Sequence, residues 1–182
     1  MNKWTLIAFT AVLILFGCTA NRTTPKIEET EPYTGIVTKV AILPLKTMDS
    51  SSRNIQKILT VRDFDYVFSK FPQYSLLNMD EVAKQFKMSG YKDVEDLEIE
   101  EMKEIAEMIG CDILVMGSIN SIRSDEFALS MRFFSVKTEE LTSLDFKVNN
   151  AREERWKTLE TTFIAKLDDV VSNEVNKIYN IA

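Results

Sequence analysis

The rhythm of apolar and polar positions changes several times along the chain, and each change marks an element. Leu6 to Phe16 is apolar except for Thr10, whereas Thr19 to Gly35 is polar, with Pro25 and Pro32 and no apolar period. Val40-Ala41-Ile42-Leu43 is a short continuous apolar run, the pattern of a strand covered on both faces. Pro44 is expected to end its ladder, because proline has no N–H to donate. After the polar loop KTMDSSS, a helix is predicted from about Arg53 to Lys70. Its apolar residues form two clusters, Ile55, Ile58, Leu59 and then Phe64, Val67, Phe68, Phe71, which do not share one stripe. A break is therefore expected near Thr60 to Arg62. Pro72 closes this helix, and YSLLNM reads as a second short strand.

Two amphipathic helices follow. Met79, Val82, Ala83 and Phe86 make the first apolar face, with Asn78 or Asp80 placed to cap it. Met102, Ile105, Ala106 and Ile109 make the second, and Gly110 is a natural end. Ile113 to Met116 is the next strand. The period then becomes two: Phe127, Leu129, Met131 and Phe133 alternate with polar or small residues, as do Leu144, Phe146 and Val148. A last helix carries Trp156, Leu159, Phe163, Leu167, Val170, Val171, Val175 and Ile178 on one side. The order β-α-β-α-α-β-β-β-α, with right-handed parallel crossovers and a terminal meander, predicts an α/β fold. Its sheet is mixed and five-stranded, in the order 2-1-3-4-5, with helices on both faces.

Composition narrows the chemistry. The chain of 182 residues has a net charge of −6, so a nucleic-acid partner would gain no electrostatic help and none is expected. It has no histidine, which removes the commonest general base and metal ligand together. No phosphate-binding glycine loop and no zinc-ligand cluster is present, so neither a cofactor nor a metal is expected, and the chain is read as a non-enzyme. Of the two cysteines, Cys111 lies in IGCDILVMG and reads either as a small buried hydrophobe or as a reactive thiol.

The other cysteine ends the first apolar run. Eleven helical residues rise about 16 Å, too short for a hydrocarbon core of about 30 Å and suited to a signal peptide. Leu15-Phe16-Gly17-Cys18 resembles the lipobox of bacterial lipoproteins, although Phe16 is bulkier than the residue usual in its place. The resemblance implies that Cys18 is acylated and becomes the first residue after cleavage. Residues 1–17 are thus expected to be a signal peptide, 18–35 the lipidated cysteine and a flexible tether, and 36–182 a single α/β domain. The seventeen residues from Thr19 to Gly35 reach at most about 60 Å when extended. Thr19 stands where an aspartate would signal inner-membrane retention in enteric bacteria, so the outer membrane is the expected site of this envelope protein.

Three further stretches carry a second resemblance: KVAILPL, EIAEMIGCDILVMGSI and FALSMRFFSVKTEEL. They resemble the opening strand, the helix-to-strand phrase and the hairpin arm of an envelope domain group. That group includes the amino-terminal part of TolB, the secretion lipoprotein CsgG and the penicillin-binding-protein activator LpoB. Gly110-Cys111-Asp112, Gly117-Ser118-Ile119 and Val136 to Leu141 are the matching positions, with Glu139 where the group has a glycine. The resemblance implies a tethered interaction module that docks another envelope protein; because its core needs nothing upstream, the domain is expected to fold alone, as a monomer or weak homo-oligomer. The alternative it leaves open is a subunit of a CsgG-like secretion or export assembly.

Charge suggests where docking would occur. Residues 78–110 hold ten acids against four lysines, a local −6 equal to that of the whole chain. Tyr91, Glu98, Glu101 and Glu104 are the candidate partner surface. Tyr91 reads either as an interface anchor on a polar loop or as a residue folded back onto the domain. The acids read either as a docking patch or as a solvated helix face.

Overall fold

The apolar run ahead of Pro44 does become a central strand. β1 spans Thr38–Ile42, and side chains alternate between two cores: Val40 and Ile42 face one, Ala41 and Leu43 the other. This computed structural model describes residues 34–50, 52–91 and 93–180; the expected signal peptide, Cys18 and the tether up to residue 33 lie outside them. β3 (Tyr74–Leu76) and β4 (Ile113–Arg123) flank β1 in parallel, and β5 (Glu126–Ser135) and β6 (Glu140–Asn149) continue as an antiparallel meander. The resulting path, β3-β1-β4-β5-β6, is the predicted order.

The sheet has a sixth strand, which corrects the expected count of five. β2 is the two-residue segment Lys46–Thr47, paired in parallel with Ser118 and Ile119 of β4. Pro44 interrupts the ladder and does not end it. Leu43 N donates to Val115 O at 2.8 Å just before it, and pairing resumes two residues later because β4 runs on past the end of β1.

Helices cover both faces. On one side lie α1 (Ser52–Ile58), α2 (Phe64–Phe68), α5 (Arg152–Thr158) and α6 (Ala165–Asn180); on the other lie α3 (Met79–Ser89) and α4 (Ile99–Ile109). The break expected near Thr60 to Arg62 is a π-helical segment, Leu59–Asp63, which joins α1 to α2 without interrupting the helix. A π turn holds more residues than an α turn. That extra residue rotates the second apolar cluster into line with the first, so Leu59, Phe64 and Val67 are all buried. A second π segment, Leu159–Ile164, joins α5 to α6 and was not foreseen. It buries Leu159, Phe163 and Ile164 together. The expected stripe does not reach the helix end: Val175 and Ile178 are 47% and 56% exposed, while Glu174 is buried. Glu174 accepts from Ser135 Oγ, whose hydroxyl oxygen in turn accepts from Thr138 N, so α6 is pinned to the β5–β6 turn.

Two backbone positions set the shape of the sheet. A Cβ at Gly117 would stand 2.2 Å from Ser130 O, so only glycine lets β4 approach β5 this closely. Glu139, in the place of the resembling group's glycine, takes the left-handed conformation itself, with φ 55. The turn therefore carries the strain of a side chain in that conformation.

The end of the first π segment meets α5 through a buried polar contact. Asp63 and Arg155 have side chains only 2% and 7% exposed, with Arg155 Nε 2.5 Å from Asp63 Oδ2. Trp156 Nε1 donates to Asp63 Oδ1 at 2.7 Å, and Arg155 Nη1 also donates to Asn150 O. Removing one partner leaves a buried charge uncompensated. Asp63→Ala is therefore expected to lose about 3–5 kcal/mol of stability, and Asp63→Leu with Arg155→Met to recover most of it. Urea unfolding followed by circular dichroism would measure both; equal losses in the two variants would contradict the account.

Candidate docking surface

The acidic region forms the α3–α4 layer and the loop between them. Asn78 is the cap of α3, with Oδ1 accepting from Asp80 N at 3.0 Å and Glu81 N at 3.1 Å, so Asp80 is not the capping residue. Gly90 (φ 87) closes α3 and Gly110 (φ 77) closes α4, both in the left-handed region that terminates helices.

The connecting loop is held down along its length. Val94 and Leu97 are buried beneath it, and Arg132 of β5 donates from Nη2 to Val94 O. Lys46 of β2 reaches up to Asp93 at 2.8 Å and Glu95 at 2.6 Å. These hydrogen bonds raise the Lys46 pKa above its ordinary value, and Lys46 in turn holds the Asp93 carboxyl below the usual carboxylate range. Val94, Leu97, Lys46 and Arg132 were not foreseen as members of this region. The two apolar residues in an otherwise polar loop were the available signal.

The four candidate residues fall into two contacting pairs, Tyr91 with Glu104 and Glu98 with Glu101. Tyr91 is half-buried against the α3–α4 core, and its hydroxyl lies 3.2 Å from Glu104 Oε2. The phenol is pushed above its ordinary pKa by desolvation first and by the Glu104 carboxylate next. The folded-back reading of Tyr91 is thus the one the geometry matches. Glu101 serves α4 itself: its Oε2 accepts from Glu98 N at 2.9 Å, one half of a capping box. Glu98 is the N-cap residue, at the opposite end of the same turn. Around Tyr91 a hollow of about 270 Å³ is lined by Ser89, Glu104, Ile105 and Met108. Met88 and Met108 are exposed near the ends of α3 and α4.

A larger hollow lies elsewhere. About 330 Å³ of space sits over the face of β4, β5 and β6 opposite α5 and α6, lined by Glu95, Ser118, Ser130, Arg132, Ser143 and Asp145. Ser130, Arg132, Ser143 and Asp145 are polar members of the period-two pattern, which the alternation places on the face away from α5 and α6.

Cys111 is buried beneath this layer and its thiol is pushed up to about 12 by desolvation. At pH 8 it is therefore almost entirely protonated. Among the described residues, no group of three or more His, Cys, Asp or Glu side chains is placed to hold a metal ion. Among them also, no helix is long and apolar enough to cross a membrane.

Two outcomes are expected. Glu101→Ala should lower stability by about 1 kcal/mol through loss of the cap, while Glu100→Ala, at an exposed position with no cap role, should stay within about 0.5 kcal/mol. Urea titration of both variants would compare them. Iodoacetamide at pH 8 should leave Cys111 unmodified in the folded chain and modify it in urea, as read by mass spectrometry; rapid labelling of the native protein would reverse the assignment.

No protein-family model matches the chain, and no curated protein matches it. Among solved structures it is similar to the C-terminal domain of LpoB from Escherichia coli, at 13% identity and a TM-score of 0.42, covering 61% of this chain and 82% of that one. It is similar to lipoprotein GNA1162 from Neisseria meningitidis at 12% identity and a TM-score of 0.45, covering 79% and 97%. A third likeness is to protein CT253 from Chlamydia trachomatis, at 14% identity and a TM-score of 0.40, covering 78% and 95%.

Proposed function

We propose that this chain is a lipid-anchored lipoprotein of the bacterial cell envelope, whose α/β domain is a non-catalytic module for docking another envelope protein. The observation that carries the reading is the apolar run that stops at Gly17-Cys18, followed by a polar tether that leads into β1. Acyl chains on Cys18 would hold the domain at a membrane without a spanning helix, since each buried methylene contributes about 0.8 kcal/mol. The tether limits the domain to about 60 Å from its anchor, which favours a partner close to the membrane surface.

Two features support a docking role over a chemical one. The chain has no histidine, and Cys111 is buried with its thiol strongly disfavoured as thiolate. The docking face we assign is the outer side of α3 and α4, where Tyr91, Glu98, Glu101 and Glu104 stand among the excess acids. Because Glu101 and Glu104 already hold Glu98 N and Tyr91, a basic partner would meet charges fixed in place, at a small entropic cost on binding.

Replacing Cys18 by serine tests the anchor. The wild-type chain should take up labelled palmitate and remain in the membrane fraction after a high-salt wash. Cys18→Ser should do neither. A variant that stays with membranes after the wash would place the anchor elsewhere.

A further inference from the structure

Strand β6 ends the sheet on its side, and among the described residues nothing pairs with its outer edge. The opposite edge, β3, is only three residues long, whereas β6 has ten. A long edge with unpaired N–H and C=O groups is a template for another strand. Leu144 and Phe146 are only half-buried on its core side, and Ser143, Asp145, Lys147 and Asn149 are exposed on the other.

The order of these side chains fits a second copy of the same strand. Two identical antiparallel strands related by a two-fold axis perpendicular to the sheet must keep each face on its own side. The axis then passes through one residue, and its neighbours pair in opposite order. Centred on Asp145, two carboxylates would stand directly opposite each other. Centred on Lys147, two ammonium groups would. Centred on Leu144, Asp145 would face Ser143 and Lys147 would face Leu141. Centred on Phe146, Asp145 faces Lys147 on both sides of the axis, Leu144 faces Val148, Ser143 faces Asn149, and the two Phe146 rings adjoin. Opposite charges directly across an antiparallel pair stabilise it, and like charges destabilise it. Of the axes through β6, only the one at Phe146 sets charged residues of the strand against opposite charges.

We propose that two copies of this chain associate through β6, antiparallel, about a two-fold axis at Phe146, to form one sheet continuous through both. The interface is isologous, so it closes at two copies and leaves no further long edge exposed. Asp145 and Lys147 set the register. Leu144, Phe146 and Val148 of the two copies extend the core across the join.

A charge exchange at two exposed positions tests this. Full-length chain purified in detergent would be followed by sedimentation velocity, with the detergent contribution matched by solvent density. Wild type should sediment as a dimer. Asp145→Lys places lysine against lysine on both sides of the axis and should weaken the dimer by about tenfold or more. Asp145→Lys combined with Lys147→Asp restores both pairs in reversed sense and should recover the wild-type constant to within about threefold. A wild-type chain that remains monomeric at about 100 μM would overturn the proposal, since a working dimer contact binds more tightly than that. A double variant as weak as the single one would overturn the register.

Discussion

The Asp63–Arg155 pair is the contact on which the helical layer depends. Asp63 ends the first π-helical segment and Arg155 lies in α5, on helices distant in sequence, and the pair is buried. Its Coulombic gain is largely offset by desolvation, so its value lies in geometry more than in net stability. The carboxylate accepts from Arg155 and from the Trp156 indole, which leaves few other orientations for α5 against α2. Outside it, the surface continues as a stack: Arg152 over Trp156, Trp156 on Tyr66 at 3.8 Å, and Lys70 over Tyr66. Each cation–π contact at such an exposed site contributes about 0.5–1 kcal/mol, and the chain of rings keeps water from the buried pair.

On the other face of the sheet the acids are arranged by a different rule. Those at the start of α4, Glu98 and Glu101, answer free backbone N–H groups, and those nearest the loop, Asp93 and Glu95, answer Lys46. The local excess of negative charge is thus partly the by-product of the acidic capping box of α4. What remains exposed is a field fixed by the backbone, which screens with salt over about 8–10 Å.

Much of this was legible beforehand because it follows from side-chain periodicity. The run Val40 to Leu43 and the alternation of β5 and β6 place residues on faces with little help from the rest of the chain. The helix stop at Gly110 was equally plain. Three things were not. The phase change after Leu59 was readable but its π form was not, the second π segment at Leu159–Ile164 gave no such signal, and Asp63 reads in sequence as an ordinary surface acid. β2 exists only because β4 is long enough to meet Lys46 and Thr47 after Pro44. At the candidate surface, Tyr91 could have pointed outward or inward, and the outcome rests on a hydroxyl contact with Glu104 thirteen residues away, beyond any local rule.

The place where the chain enters the sheet has a mechanical consequence. The chain arrives at Thr38 and runs straight into β1, which lies between β3 and β4, both parallel to it. Tension drawn from an anchored N-terminus would load a central strand along its own axis. The ladder pairs Thr38–Tyr74, Lys39–Ser75 and Val40–Leu76 on one side, and Val40–Ile113, Ala41–Leu114 and Ile42–Val115 on the other, would then bear the load together. Strands sheared in this way do not peel one bond at a time. A domain hung by its middle strand resists pulling far better than one hung by an edge.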